Sequence, residues 1–169
     1  MPHLDAAHRF ARWLSRSPGE ADDIVQEAFL RAWRGFDALR GGDVKAWLLT
    51  IVRNCHATAH RQQQRLAAVP LPEADELQLD SATASSAPDP ESVSIGRDQE
   101  RTLARLISAL SQEHREVLLL REMEEMSYRE IAAVTQLPIG TVMSRLARAR
   151  EALKLQWQQE CAGEPHAVR

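Results

Sequence analysis

Residues 127–150 read SYREIAAVTQLPIGTVMSRLARAR, and this stretch decides the fold. It opens on Ser127 with Glu130 three residues on, a capping box in which each side chain satisfies the other's backbone N–H at a helix start. Ile131 and Val134 fall on the inner face of the short helix that follows, and Ala132 and Ala133 are small enough to let a second helix approach closely. Thr135 to Pro138 forms the turn. From Ile139 to about Lys154, the apolar residues Val142, Leu146, Ala149 and Leu153 recur at i, i+4, i+7 and i+11, the period of an amphipathic helix. The opposite face of that helix carries Thr141, Ser144, Arg145 and Arg148, with Arg150 and Lys154 on a flank.

A capped short helix, a tight turn and a basic amphipathic helix make a helix-turn-helix, and the second helix suits the major groove of DNA. Arginine bonds a guanine edge bidentately, while Thr and Ser reach base edges or phosphates. The helix N-terminus favours a phosphate nearby. Ser127 and Tyr128, at the opening of the first helix, join Thr141, Ser144, Arg145, Arg148 and Arg150 as expected DNA contacts. Arginines that merely solvate the outside of a bundle helix would give the same local pattern.

Working outward, the charge is segregated. The whole chain of 169 residues has a formal net charge of −3, which looks unsuited to a nucleic-acid binder. Residues 1–65, however, hold ten Lys/Arg against seven Asp/Glu, and residues 66–96 hold six acids and no base. Within the balanced remainder, Ile139–Lys154 sets four cations against Glu151 alone, whereas Glu113–Glu130 is net acidic by three. Positive charge is thus concentrated on the helix that needs it.

The composition is 44% hydrophobic and only 5% aromatic, dominated by good helix formers. An all-α protein is expected. Residues 67–96, with Pro70, Pro72, Pro88, Pro90 and a Ser/Ala/Thr tract, lack apolar periodicity and read as an acidic linker between two small helical domains. The expected division is 1–66, linker 67–97, helix-turn-helix domain 98–160 and tail 161–169. No apolar run is long enough for a membrane span and the first residues lack a secretory pattern, so a cytoplasmic protein is expected. Cys55 and Cys161 suggest no disulfide framework.

In the N-terminal half, Ser17-Pro-Gly-Glu20 starts a helix whose inner face is Ala21, Ile24, Ala28 and Ala32. Phe29 and Trp33 are expected to stack one turn apart beside that face. Asp22, Asp23, Gln26 and Glu27 form an acidic edge, either solvated or partner-binding. After the loop Arg40–Asp43, with Asp43 as N-cap, a second helix runs to about Arg65. Trp47, Leu48, Ile51, Val52 and Cys55 face inward, and Arg53, Asn54, His60 and Arg61 outward. In the C-terminal half, two more amphipathic helices precede the helix-turn-helix, marked by Leu103, Leu106, Ile107 and Leu110, and by Val117, Leu118 and Leu120.

The segments Tyr128–Ala132 and Pro138–Arg150 resemble the promoter-reading domain 4 of bacterial extracytoplasmic-function (ECF) sigma factors. Asp22–Trp33 (DDIVQEAFLRAW) and Trp47–Asn54 (WLLTIVRN) independently resemble domain 2 of that family. The resemblance covers about residues 5–66 and 98–155. It implies a subunit that binds the beta and beta-prime subunits of core RNA polymerase and directs them to promoter DNA. Asp22, Asp23, Gln26, Glu27 and Phe29 would dock on the polymerase clamp helices. Arg53, Asn54 and Arg61 would hold the melted strand of the minus-ten element, with Arg40–Asp43 as a base-capturing loop, because an extruded base needs a pocket and its strand needs cations. The basic helix would read the minus-thirty-five element. Trp47 fits two readings, core packing with Ile51 and Cys55 or base stacking. The linker likewise reads as a nucleic-acid mimic in the polymerase cleft or as a plain spacer. An anti-sigma partner is implied by the family alone.

Two departures from the family stand out. Only 16 residues precede Ser17, and Gln136 stands where a turn Gly is common, a strained choice if that position has positive φ. No catalytic motif appears, and the histidines join no catalytic constellation, so neither an enzyme nor a small-molecule substrate is expected. Cys55, His56 and His60 do not converge as zinc ligands, so no metal or other cofactor is expected. The rival reading is a stand-alone helix-turn-helix regulator, for which the N-terminal half has no evident use.

Overall fold

A computed structural model describes residues 3–15, 17–39, 41–67 and 93–163. Among these, α1 spans Leu4–Leu14, α2 Pro18–Gly35, α3 Val44–Ala67, α4 Val93–Ala109, α5 Gln112–Glu122, α6 Tyr128–Thr135 and α7 Ile139–Gly163, with a single 3-10 turn at Phe36–Ala38. No strand occurs among the described residues. Arg40, most of the linker and the end of the tail lie outside them.

The helix starts follow from local chemistry. Ser17 Oγ accepts the Glu20 N–H, with Pro18 in the first helical turn. Asp43 Oδ1 accepts the Lys45 N–H at 2.8 Å, and Gly41 and Gly42 supply the positive φ that lets the chain turn into α3. Both halves of the Ser127/Glu130 capping box form, which also holds the Glu130 carboxyl below its usual range. The Gln136 position does have positive φ, +56°, at the left-handed end of α6, where the Leu137 N–H bonds the Ala132 carbonyl.

Packing places α1, α2 and α3 as one three-helix unit and α4 to α7 as another, but a single apolar core runs through both. Ala21, Ile24, Ala28 and Ala32 are buried as the periodicity predicts, and so is Val25. On α3, Leu49, Val52 and the thiol of Cys55 are buried, while Trp47 and Ile51 pack at the edge of the core. Burial pushes the Cys55 thiol pKa up. From the other unit, Val117, Leu120, Ile131, Val134, Val142 and Leu146 complete the core. Side chains of this size, removed from water, each contribute about 1.5–3 kcal/mol before entropy is set against them. The two units meet where α3 lies against α6 and α1 against α5.

Three expectations need adjustment. Trp33, expected to stack on Phe29 beside the buried face, is 82% exposed and borders with Phe29, Trp47 and Leu48 an open apolar hollow. The helix α4 begins at Val93, inside the stretch read as linker, and α7 continues past Lys154 to Gly163. Proline and serine in the neighbouring sequence hid the first, and the polar run from Gln156 hid the second.

Candidate nucleic-acid interface

The polar faces expected to meet DNA lie on α7 and α3. On α7, Val142, Leu146 and Ala149 are buried and turn Ser144 and Arg148 outward, with Thr141 and Arg145 at the rim. Arg148 has no ion-pair partner among the described residues. Arg145 Nη2 lies 2.8 Å from a carboxylate oxygen of Glu113 on α5, and Arg150 bonds Glu122 through Nε and Nη2 at 3.1 and 2.6 Å. Both glutamates are exposed, at 65% and 51% of their side chains. Ser127 is exposed at the start of α6, and the half-buried Tyr128 ring carries the Arg121 guanidinium 5.3 Å above it. Thr141, Ser144, Arg145 and Arg148 therefore share one side of α7, as the spacing predicts, and Arg150 lies on a flank.

On α3, Asn54 and Arg61 are exposed. Arg53 is not the free outward cation the sequence suggests: its Nε is bonded to Glu116 of α5, a residue 63 positions away. Burial pushes the Glu116 carboxyl above the ordinary range and outweighs the opposing pull of Arg53. His60 is half-buried and stacks on His56, which is itself buried against Gln112. Burial lowers the His56 pKa, disfavouring the charged ring. The loop Gly41–Asp43 and Trp47 border a cleft whose other wall is Arg129, Glu130 and Ala133 of α6.

On α2, Asp22, Asp23, Gln26 and Glu27 form the exposed edge, with the half-buried Phe29 beside it. Asp22 lies 3.0 Å from His8, and Glu27 accepts from Arg31 at 2.7 Å. Next to this edge, Trp33 is exposed together with Leu30 and Phe36, two apolar groups that the sequence reading did not single out. No cluster of three or more metal-ligating side chains occurs among the described residues. No described helix is long and apolar enough to cross a membrane.

The junction between the units contains the residues that sequence reasoning missed. Glu124, with a side chain 1% exposed, accepts from Arg9 at 3.0 to 3.3 Å and from Lys45 Nζ at 2.9 Å. Lys45 also donates to the Glu124 carbonyl at 2.8 Å. Arg115 reaches the carbonyls of Trp13 and Leu110. A signal for this was present: Glu116, Leu120 and Glu124 are spaced by four, which puts two acids on an apolar stripe.

Comparison with known proteins joins these surfaces into one assignment. Residues 1–66 match the Sigma-70 region 2 family and residues 100–153 the Sigma-70, region 4 family. The ECF RNA polymerase sigma-E factor of Escherichia coli (strain K12) is 34% identical over 152 residues, covering 86% of this chain and 79% of that protein. The RNA polymerase sigma-H factor of Pseudomonas aeruginosa is 36% identical over 138 residues, covering 79% and 71%. The sigma factor RpoE of Bartonella quintana, solved in complex with the anti-sigma factor NepR, superposes with a TM-score of 0.71 at 28% identity over 92% of this chain and 91% of that one. The fold is shared as well by CnrH, solved with the cytosolic domain of CnrY (TM-score 0.66, 24% identity, 94% and 84% covered). A region 2 match in the N-terminal half does not favour a stand-alone regulator, which would leave that half idle. With both regions present in order, and relatives of this similarity over most of its length, the chain belongs to the extracytoplasmic-function sigma factors of RNA polymerase.

Proposed function

We propose that the two polar helix faces divide the promoter between them. The α7 face, with Thr141, Ser144, Arg145 and Arg148, reads the duplex minus-thirty-five element, and Arg150, Ser127 and Tyr128 contact its backbone. The α3 face, with Arg53, Asn54 and Arg61, holds the separated strand of the minus-ten element, where an amide reads a base edge and guanidinium groups neutralise phosphates. The edge Asp22, Asp23, Gln26, Glu27 and Phe29 docks on the polymerase clamp, an acidic rim around one aromatic. The domain boundaries 1–66, 98–160 and the acidic linker between them fit this division. The site of action is the cytoplasm, and no catalytic step, cofactor or small-molecule substrate is assigned to the chain. The sigma factor RpoE of Bartonella quintana was solved bound to the anti-sigma factor NepR, which supports a partner of that kind here.

The observation that carries the reading is the pairing of an outward polar face on α7 with a second, separate one on α3, in matches to region 4 and region 2. Transcription reconstituted with core polymerase, followed by start-site mapping, tests it. A two-part promoter should be used only when both proteins are present. Asn54→Ala should leave duplex binding intact and slow promoter opening severalfold; unchanged opening kinetics would remove Asn54 from strand capture.

A further inference from the structure

The outward side of α7 is less polar than its arginines suggest. Residues three and four apart share one side of a helix, and over the first turns of α7 that side is Gly140, Met143, Ser144, Ala147 and Arg148, all exposed. Gly140, Met143 and Ala147 carry no hydrogen-bonding side chain. Met143 is 51% exposed, and Ile139, one turn before it, is 43% exposed. The core side of the helix is already filled by Val142, Leu146 and Ala149, so Met143 is left outside it. An exposed apolar residue is ordinary on a protein surface. This one sits on the strip that a groove-reading helix would turn toward the bases.

The polar groups beside that strip are partly engaged. Ser144 Oγ donates to the Thr141 carbonyl at 3.0 Å, which spends its one proton and leaves the hydroxyl as an acceptor. Arg145 is paired with Glu113 and Arg150 with Glu122. Arg148 is the one cation on the strip itself. Hydrogen bonds from this strip therefore distinguish few base pairs, and apolar contact has room to distinguish another.

We propose that Met143, with Ala147 one turn on, is a specificity-determining contact that packs on the C5-methyl of a thymine in the minus-thirty-five element. The proposal rests on the reading of α7 given above and supplies what its arginines do not. Base edges in the major groove present hydrogen-bonding groups and, at thymine, a methyl, which is the one apolar substituent there. A side chain without a strong donor or acceptor has that methyl as its partner. The thioether chain is unbranched and adapts to the shape it meets. Any other base beneath it loses water from a polar edge and gains no hydrogen bond in return, so the contact also rejects. One helical turn rises about 5.4 Å and base pairs lie about 3.4 Å apart, so the two side chains reach at most about two adjacent pairs.

The test uses the full chain in complex with core polymerase, and a promoter duplex identified by start-site mapping. Each thymine of the minus-thirty-five element, on either strand, is replaced in turn by uracil, which removes the methyl and keeps every hydrogen-bonding group. Binding should weaken about fourfold at one position or at two adjacent ones, the worth of one buried methyl. Met143→Ala should bind the unaltered element severalfold more weakly and show no further loss with uracil at that position. Met143→Leu should keep most of the uracil loss, and Arg148→Ala, which spares the apolar strip, should keep all of it while binding more weakly throughout. A uracil loss that persists in Met143→Ala overturns the proposal. So does an element whose sequence matters but which has no uracil-sensitive thymine. An element that can be replaced whole without effect on binding overturns the assignment of α7 to it, and the methyl contact falls with it.

Discussion

Arg53 on α3 and Arg145 on α7 each hold a glutamate of α5, and the two pairs differ in where that glutamate lies. Glu113, the partner of Arg145, is 65% exposed and belongs to the same half of the molecule. Glu116, the partner of Arg53, is 7% exposed and comes from the opposite half. An ion pair in water is weak, and its arginine exchanges readily for a phosphate when DNA arrives. A buried pair between halves exchanges only if the halves part. On the proposed division of the promoter, duplex recognition by α7 would need no rearrangement, whereas a strand contact by Arg53 would first have to displace Glu116.

The largest effect should come from breaking the buried pair on one side. Arg53→Ala leaves Glu116 buried without its cation and should lower unfolding free energy by about 3 kcal/mol in urea denaturation. Glu116→Gln, which removes the expensive charge and keeps a hydrogen-bonding group, should stay within about 1 kcal/mol of the unaltered chain, and combining the two should restore most of the loss. Equal destabilisation by both single variants would mean that the pair is held by attraction and not tolerated in spite of its burial. The comparison between the two arginines would then lose its physical basis.

On the exposed side, truncation should show in binding and hardly in folding. Arg145→Ala is expected to weaken recognition of the minus-thirty-five element by the polymerase complex by about 1–3 kcal/mol, concentrated at one base position if the guanidinium reads an edge. A loss spread evenly over sequences, with a shallower salt dependence, would assign it to a phosphate instead. Stability should change little, because the pair it breaks is solvated.

How much of this was legible in the sequence follows the range of each interaction. The caps at Ser17, Asp43 and Ser127 and the stripe Val142, Leu146, Ala149 act within a turn or two, and the chain states them directly. The left-handed residue at Gln136 was flagged by its place in the turn, although Gln gives no hint of it by residue type. Trp33 misled because periodicity puts a residue on a face without saying whether anything covers that face. Arg53 misled for a different reason. An exposed position on one helix becomes an interior one when another helix arrives, and its partner lies beyond the linker, out of reach of any local pattern. The acids Glu116 and Glu124 were visible as excess negative charge in 113–130, but only the packing of α1 and α3 against that segment shows what it neutralises.

The smallest expected effect is the most direct check on the exposed pair. Glu113→Gln removes the partner of Arg145 without touching the helix face that would meet DNA. Since Glu113 is largely in water, unfolding free energy should fall by no more than about 0.5 kcal/mol. Binding to minus-thirty-five duplex by the polymerase complex should strengthen slightly, because Arg145 no longer gives up a carboxylate to take a phosphate or a base, and one acidic repulsion disappears. Both shifts should shrink in high salt, where exposed charges are screened. Were Glu113→Gln instead to weaken binding, Glu113 would be holding Arg145 in its reading position, and the exposed pair would then be a positioning contact, as consequential for DNA recognition as the buried pair is for joining α3 to α5.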